Sequence, residues 1–183
     1  KILQAVRRGV PVGEGEAHAR RQEWRGLDER AGDLPGGIDA RGWDLAYHNL
    51  GTLGGGNHFI EIQRGEDGRL WLMVHSGSRN LGYRIAEHYH QKALWLDEHR
   101  RLTIPDRQLA YLPADTVEGQ AYVRDMEFAL QYARENRRRI MAVLKHETVR
   151  ALRSVEFLNE VDIHHNYAAL ERHFGREVWI HRK

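Results

Sequence analysis

A chain of 183 residues, 41% hydrophobic and 30% charged, is long enough to bury a sizeable core, and its formal charge of +2 singles out no class of partner. It contains no cysteine, which excludes disulfides and any thiolate metal ligand from within these residues. No apolar run approaches the length of a membrane span and no signal-peptide pattern opens the chain, so a cytoplasmic setting is the expectation.

Residues 1–40 are rich in glycine and charge, hold Pro11 and Pro35, and read as a loop-rich lead-in. Residues 57–63 alternate as a strand should, Gly65-Glu66-Asp67-Gly68 is a turn signal, and residues 70–75 form a second strand, which together predict a β-hairpin. Residues 82–100 are expected to be helical, and 101–115, with Pro105 and Pro113, to be loop. A long helix is expected over 118–152, on a stripe of Tyr122, Met126, Ala129, Ala133, Ile140 and Leu144. A short strand or turn should reach His164, followed by a helix from Asn166 to His173 that Gly175 closes, and a strand over 178–183. The fold class is therefore α+β: a mixed or antiparallel sheet with a hairpin, packed with helices, in one domain over 1–183. Lys1 is not a natural start and nothing terminates the last strand, so the chain reads as a piece of a longer protein and the domain as incomplete.

Histidine is the unusual residue, with 12 copies, and three short blocks set it beside glycine, asparagine, serine or arginine. They are Gly51 to Glu61, His75-Ser76-Gly77-Ser78-Arg79 and Asp162 to Tyr167. Imidazole binds borderline metals, glycine lets a ligand approach the backbone, and arginine grips phosphate. If the hairpin turn pairs Arg64 with Arg69, His58 falls opposite His75, with Cβ atoms about 4.5–5.5 Å apart on one face. In that register Asn57, Phe59 and Glu61 line the other face, where they could meet a base or ribose. A slip of one residue would separate the two histidines.

Gly54-Gly55-Gly56 is neither a P-loop nor a dinucleotide fingerprint, and is better read as a flexible backbone that carries Asn57 and His58 to a ligand. Ser76-Gly77-Ser78-Arg79 could form an anion nest of hydroxyls, amides and a guanidinium, or simply a capped turn before the helix at Leu81. Adjacent His164 and His165 point in different directions, so at most one shares a site with the hairpin. Two or three histidines with an oxygen or sulfur donor suit zinc, manganese, iron or nickel, and spacing does not choose. The arginine groups Arg134, Arg137, Arg138, Arg139 and Arg20, Arg21, Arg25, Arg30 are read first as solvated faces.

The run Leu50 to Glu61, the block His75 to Arg79 and the pair His165-Asn166 closely resemble the signatures of the RtcB family of RNA ligases. Tyr132-Ala133 with Asn136-Arg137, and the closing His181-Arg182-Lys183, agree with it as well, while the first 40 residues match only through Val10 to Gly13. The resemblance implies joining of RNA with a 3′-phosphate or 2′,3′-cyclic phosphate to RNA with a 5′-hydroxyl, using GTP and two manganese ions, in tRNA splicing or RNA repair. It implies that His58 binds one manganese and that His75 and His165 bind the other. Asn57, Phe59, Glu61 and Asn166 would contact the guanylate, and Arg79 would hold the RNA phosphate. The histidine that accepts GMP, and an upstream aspartate and cysteine, would lie outside these residues, leaving the isolated segment inactive. No membrane is implied, and an activating protein partner is left open. Two other readings remain: a metal-dependent phosphoesterase using the same histidines, and a nucleotide- or RNA-binding remnant without catalysis.

Overall fold

The computed structural model describes residues 1–100, 104–164 and 166–182. The organising element is helix α5, Val117–Leu152, of 36 residues and so about 54 Å long. Thr116 starts it by accepting a hydrogen bond from the Gly119 N–H at 3.1 Å, and Arg153, at φ 65°, leaves the helical path at its end. Helices α1 (Ile2–Gly9), α2 (Arg25–Arg30) and α4 (Leu81–His99) pack along it, and α3 (Ala40–Asn49) joins them at one end. A short 3-10 turn at Arg107–Leu109 precedes it.

The apolar stripe of α5 is divided between two cores. Phe128, Ala129 and Tyr132 meet Trp43, Tyr47 and Leu50 from α3 and its exit, and Leu81, Ile85 and Tyr89 of α4. Ile140 and Leu144 meet Val6, Val10 and Leu53, with the inward face of a hairpin (Ile60, Ile62, Leu72, Val74) against them. Between Ala133 and Ile140 the buried position on the stripe is Asn136, which is fully inaccessible.

The α+β class holds, with two separate two-stranded antiparallel hairpins. In the first, β1 (Phe59–Arg64) pairs with β2 (Leu70–His75), but one residue away from the expected register: Arg64 faces Leu70 and Phe59 faces His75. Gly65 pairs with Arg69 through its N–H, and Gly68, at φ 78°, fills the left-handed position of a three-residue loop. The turn signal was thus right and its loop length was not.

The second hairpin replaces the expected helix at 166–173. Here β3 (Tyr167–His173) pairs with β4 (Arg176–Arg182) in register. Phe174 and Gly175 both have positive φ (50° and 78°), the backbone of a two-residue type I′ turn. A glycine after a helix-forming stretch fits a helix end and a hairpin turn equally well, and pairing with Val178, Trp179 and Ile180 decides for the strand.

The lead-in is more ordered than its composition suggests. It contains α1 and α2, and Leu27 and Val10 are wholly buried. Asp125 of α5 draws it in, accepting from Arg30 Nη2, the Gly36 N–H and the Tyr89 hydroxyl, each at 2.7 Å. The clustered arginines are largely paired: Arg138 and Arg139 with Glu135, Arg137 with Asp162, Arg21 with Asp44 and Arg30 with Asp33 and Asp125.

Candidate active site

Asn136 builds the site by joining two loops that are far apart in sequence. Its Oδ1 accepts from the Gly51 N–H at 2.7 Å. Its Nδ2 lies within hydrogen-bond distance of Thr52 O (3.1 Å), Ser76 Oγ (3.0 Å) and Gly77 O (3.2 Å), three acceptors for two hydrogens. Ser76 Oγ in turn donates to Leu53 O at 2.9 Å, tying the second loop to the first. A buried amide with this many partners is costly to remove, because each partner would be left unsatisfied.

The stapled loops bring His58 and His75 together, with ring centroids 5.9 Å apart. The register shift does not separate them, because His58 precedes β1 and is not bound by strand alternation. The shift does change what His75 faces: it sits opposite Phe59, the two rings stacked at 5.3 Å and 10°. Phe59, Glu61 and His75 therefore share the outward face of the hairpin, whereas Ile60 and Ile62 turn to the core. Asn57 and Asn166 are exposed.

With metal–nitrogen distances of about 2 Å and a ring centre roughly 1 Å beyond, two imidazoles on one ion have centroids up to about 6 Å apart. The observed spacing fits one shared ion or two adjacent ones. Among the described residues no group of three or more His, Cys, Asp or Glu side chains gathers as a metal site. His165, the third expected ligand, lies outside the described residues. The segment leading to it is anchored: Arg137 donates from Nε to Asp162 Oδ1 at 2.8 Å, and its Nη2 is 3.4 Å from His164 Nδ1.

Arg79 lies beside the histidines. A methyl group on Gly54 would stand 2.0 Å from Arg79 Nη1 and 2.7 Å from His58 Nδ1, so the glycine (φ 93°) is what lets guanidinium and imidazole lie together on the backbone. Among the described residues Arg79 has no carboxylate partner, and Glu87 bonds Gln91 instead. Burial lowers the Arg79 pKa from its ordinary value, while the nearby Tyr132 phenol opposes the shift. Ser76 and Ser78 do not form the hydroxyl part of an anion nest. Ser76 is held by Leu53 and Asn136, and Ser78 Oγ accepts from the Gly82 N–H at 2.9 Å, capping α4.

The family model for tRNA-splicing ligase RtcB matches residues 10–183. This chain belongs to the RtcB family. The RNA-splicing ligase RtcB of Escherichia coli (strain K12) is 36% identical over 143 residues, covering 75% of this chain and 35% of that protein. The tRNA-splicing ligase RtcB of Pyrobaculum aerophilum is 34% identical over 171 residues, covering 79% of the chain and 34% of the relative. That of Methanopyrus kandleri is 29% identical over 255 residues, covering 100% and 26%. The chain thus spans roughly a quarter to a third of the length of these curated relatives. Membership covers both stapled loops, α5 and the two hairpins of this RtcB segment.

Asn136 and Arg137 belong to the family resemblance, which assigns them no task. The signal for Asn136 was present: the apolar stripe skips from Ala133 to Ile140, and the residue in the gap is an amide. Asp125 occupies a similar buried position beside Met126 and gave no comparable hint.

Proposed function

We propose that this chain forms the metal- and phosphate-binding part of a GTP- and manganese-dependent RNA ligase, which joins a 3′-phosphate or 2′,3′-cyclic phosphate end to a 5′-hydroxyl end. What carries the reading is one juxtaposition: a half-buried arginine with no carboxylate partner among the described residues, meeting His58 over Gly54 beside a second imidazole, on loops stapled by a single amide. A partly buried cation with unused N–H donors favours an anion beside it, and RNA phosphate supplies one.

On this reading His58, His75 and His165 hold manganese, which when bound neutralises phosphate charge. Phe59 offers the ring face not covered by His75 to the guanine, with Asn57, Glu61 and Asn166 as polar contacts; Phe59 is 39% exposed. Arg79 receives the RNA phosphate beside His58. The GMP-accepting histidine comes from outside these residues. The setting is cytoplasmic and the task tRNA splicing or RNA repair.

The test is an assay of the full-length protein with labelled GTP, manganese and two RNA strands, one ending in a 2′,3′-cyclic phosphate and one beginning with a 5′-hydroxyl. The expected result is a labelled protein adduct and a GTP-dependent joined product. Release of phosphate from the RNA end without GTP would replace the ligase with a phosphoesterase. RNA binding with neither reaction would mean a non-catalytic module.

A further inference from the structure

Arg79 has five N–H donors, and the protein has fixed one of them. Its Nε donates to Thr52 Oγ1 at 2.9 Å. Thr52 is completely buried, and its own hydroxyl hydrogen is committed, donating to Asn49 O at 2.6 Å. With the proton turned to Asn49, an oxygen lone pair faces Arg79, so the hydroxyl acts here as an acceptor of fixed direction. The Thr52 backbone is immobilised too: its N–H donates to Asn49 O at 3.1 Å and its carbonyl accepts from Asn136.

The arginine backbone needs such support. Arg79 and Asn80 both lie in the left-handed region, at φ 50° and 74°, where side-chain-bearing residues persist only when their surroundings over-determine them. The Ser78 cap at one end and Thr52 at the other fix the backbone and the guanidinium. The guanidinium lies over Gly54, and among the described residues only its Nε has a hydrogen-bond acceptor. Arg79 as a whole is half-buried.

We propose that Thr52 is a positioning residue for RNA binding: by occupying Nε it rules out the side-on Nε–Nη2 fork and presents the Nη1–Nη2 edge to the terminal phosphate of RNA. The proposal rests on the reading that Arg79 holds that phosphate. Thr52 does not touch the RNA and acts entirely through Arg79. A bidentate fork aimed in this way holds a terminal phosphate at a set angle, which a freely turning guanidinium would not.

The experiment uses the full-length protein and measures GMP-adduct formation separately from RNA joining. Thr52→Val keeps the shape and deletes the acceptor. It is expected to raise the KM for the phosphate-ended RNA roughly tenfold, because a buried charged donor loses its partner. The KM for the 5′-hydroxyl strand and the rate of adduct formation should stay within about twofold. Thr52→Ser keeps the hydroxyl and should restore the wild-type KM. Thr52→Val combined with Arg79→Lys should be no worse than Arg79→Lys alone, since lysine has no fork to aim. If Thr52→Val does not fold, Thr52→Ala is read in its place.

Equal losses in both steps, failure of Thr52→Ser to rescue, or full additivity with Arg79→Lys would each overturn the proposal. Arg79→Lys with no effect on joining would instead overturn the phosphate role of Arg79, and that outcome is seen without altering Thr52.

Discussion

The helical cluster and the hairpins of this molecule solve the burial problem differently. Around Trp43, Phe128 and Tyr132 the rings close on one another, with Trp43 and Phe128 centroids 5.4 Å apart, and Tyr132 is wholly buried with its hydroxyl donating to Ala46 O at 2.7 Å. The hairpins leave large apolar side chains in solvent: Trp71 is 53% exposed, Leu70 50% and Leu170 51%. The candidate site lies where the two regimes meet. Its side chains come from a strand end and the neighbouring loops, but its geometry is imposed from the helix, through Asn136. The lesson is that the scaffold's contribution to this site is a small number of buried hydrogen bonds, while the outward strand face carries Phe59 and Glu61 beside His75.

The sharpest way to break that division is at its junction. Asn136→Leu keeps the volume, strands the Gly51 N–H and the Thr52 and Gly77 carbonyls, and removes the donor to Ser76 Oγ. A loss of about 4 kcal/mol in urea unfolding is expected, together with loss of RNA joining in whatever protein remains folded. A loss under about 1 kcal/mol would mean that the loops hold themselves.

Next in size is a paired test of the two regimes. Leu144→Ala removes a fully buried side chain and should cost about 3 kcal/mol, leaving the ratio of adduct formation to joining unchanged. Trp71→Ser, on the exposed hairpin face, should change stability by less than about 0.5 kcal/mol. Comparable effects at the two positions would show that the hairpin face is covered in the full-length protein.

The smallest effect is a pH dependence within the helical part. Burial, the first cause at both sites, lowers the pKa of His18 and of His88 below the ordinary 6.5; at His18 a hydrogen bond with the Gly51 backbone opposes it while Arg139 and His48 add to it, and at His88 Lys92 adds to it and Asp125 opposes it. The folded state thus favours the neutral rings. Their contribution is fully present above 6.5 and is lost as pH falls through the lowered folded values. The melting temperature should decline on acidification from neutral, and His18→Gln with His88→Gln should flatten the decline.

Much of this was legible in the sequence. The long helix, α4 and the first hairpin follow from periodicity and turn residues, because each buries its own stripe or face locally. What was not legible depended on distant partners. The β3–β4 hairpin is made of Ala168, Leu170, Glu171 and Arg172, good helix formers, and becomes a strand by pairing with Val178 to Ile180. Helix α3 carries Trp43, Ala46 and Tyr47 at helical spacing, with Leu50 at its exit, yet sits among glycine and charged residues that mask it. In the site, the proximity of His58 and His75 could be anticipated, but the shared face of His75 and Phe59 hung on one residue of loop length. The two serines after His75 looked like ligands, and buried carbonyls and amides claim them instead.

The claim that the two loops make one metal- and phosphate-binding site is tested most directly by manganese titration calorimetry on the full-length protein, its His58→Ala and His75→Ala variants, and an Asn57→Ala control. The account predicts that the wild type binds manganese, that each histidine variant weakens at least one ion by about tenfold or more, and that the control binds as the wild type does. Unchanged affinity and stoichiometry in both histidine variants would contradict it.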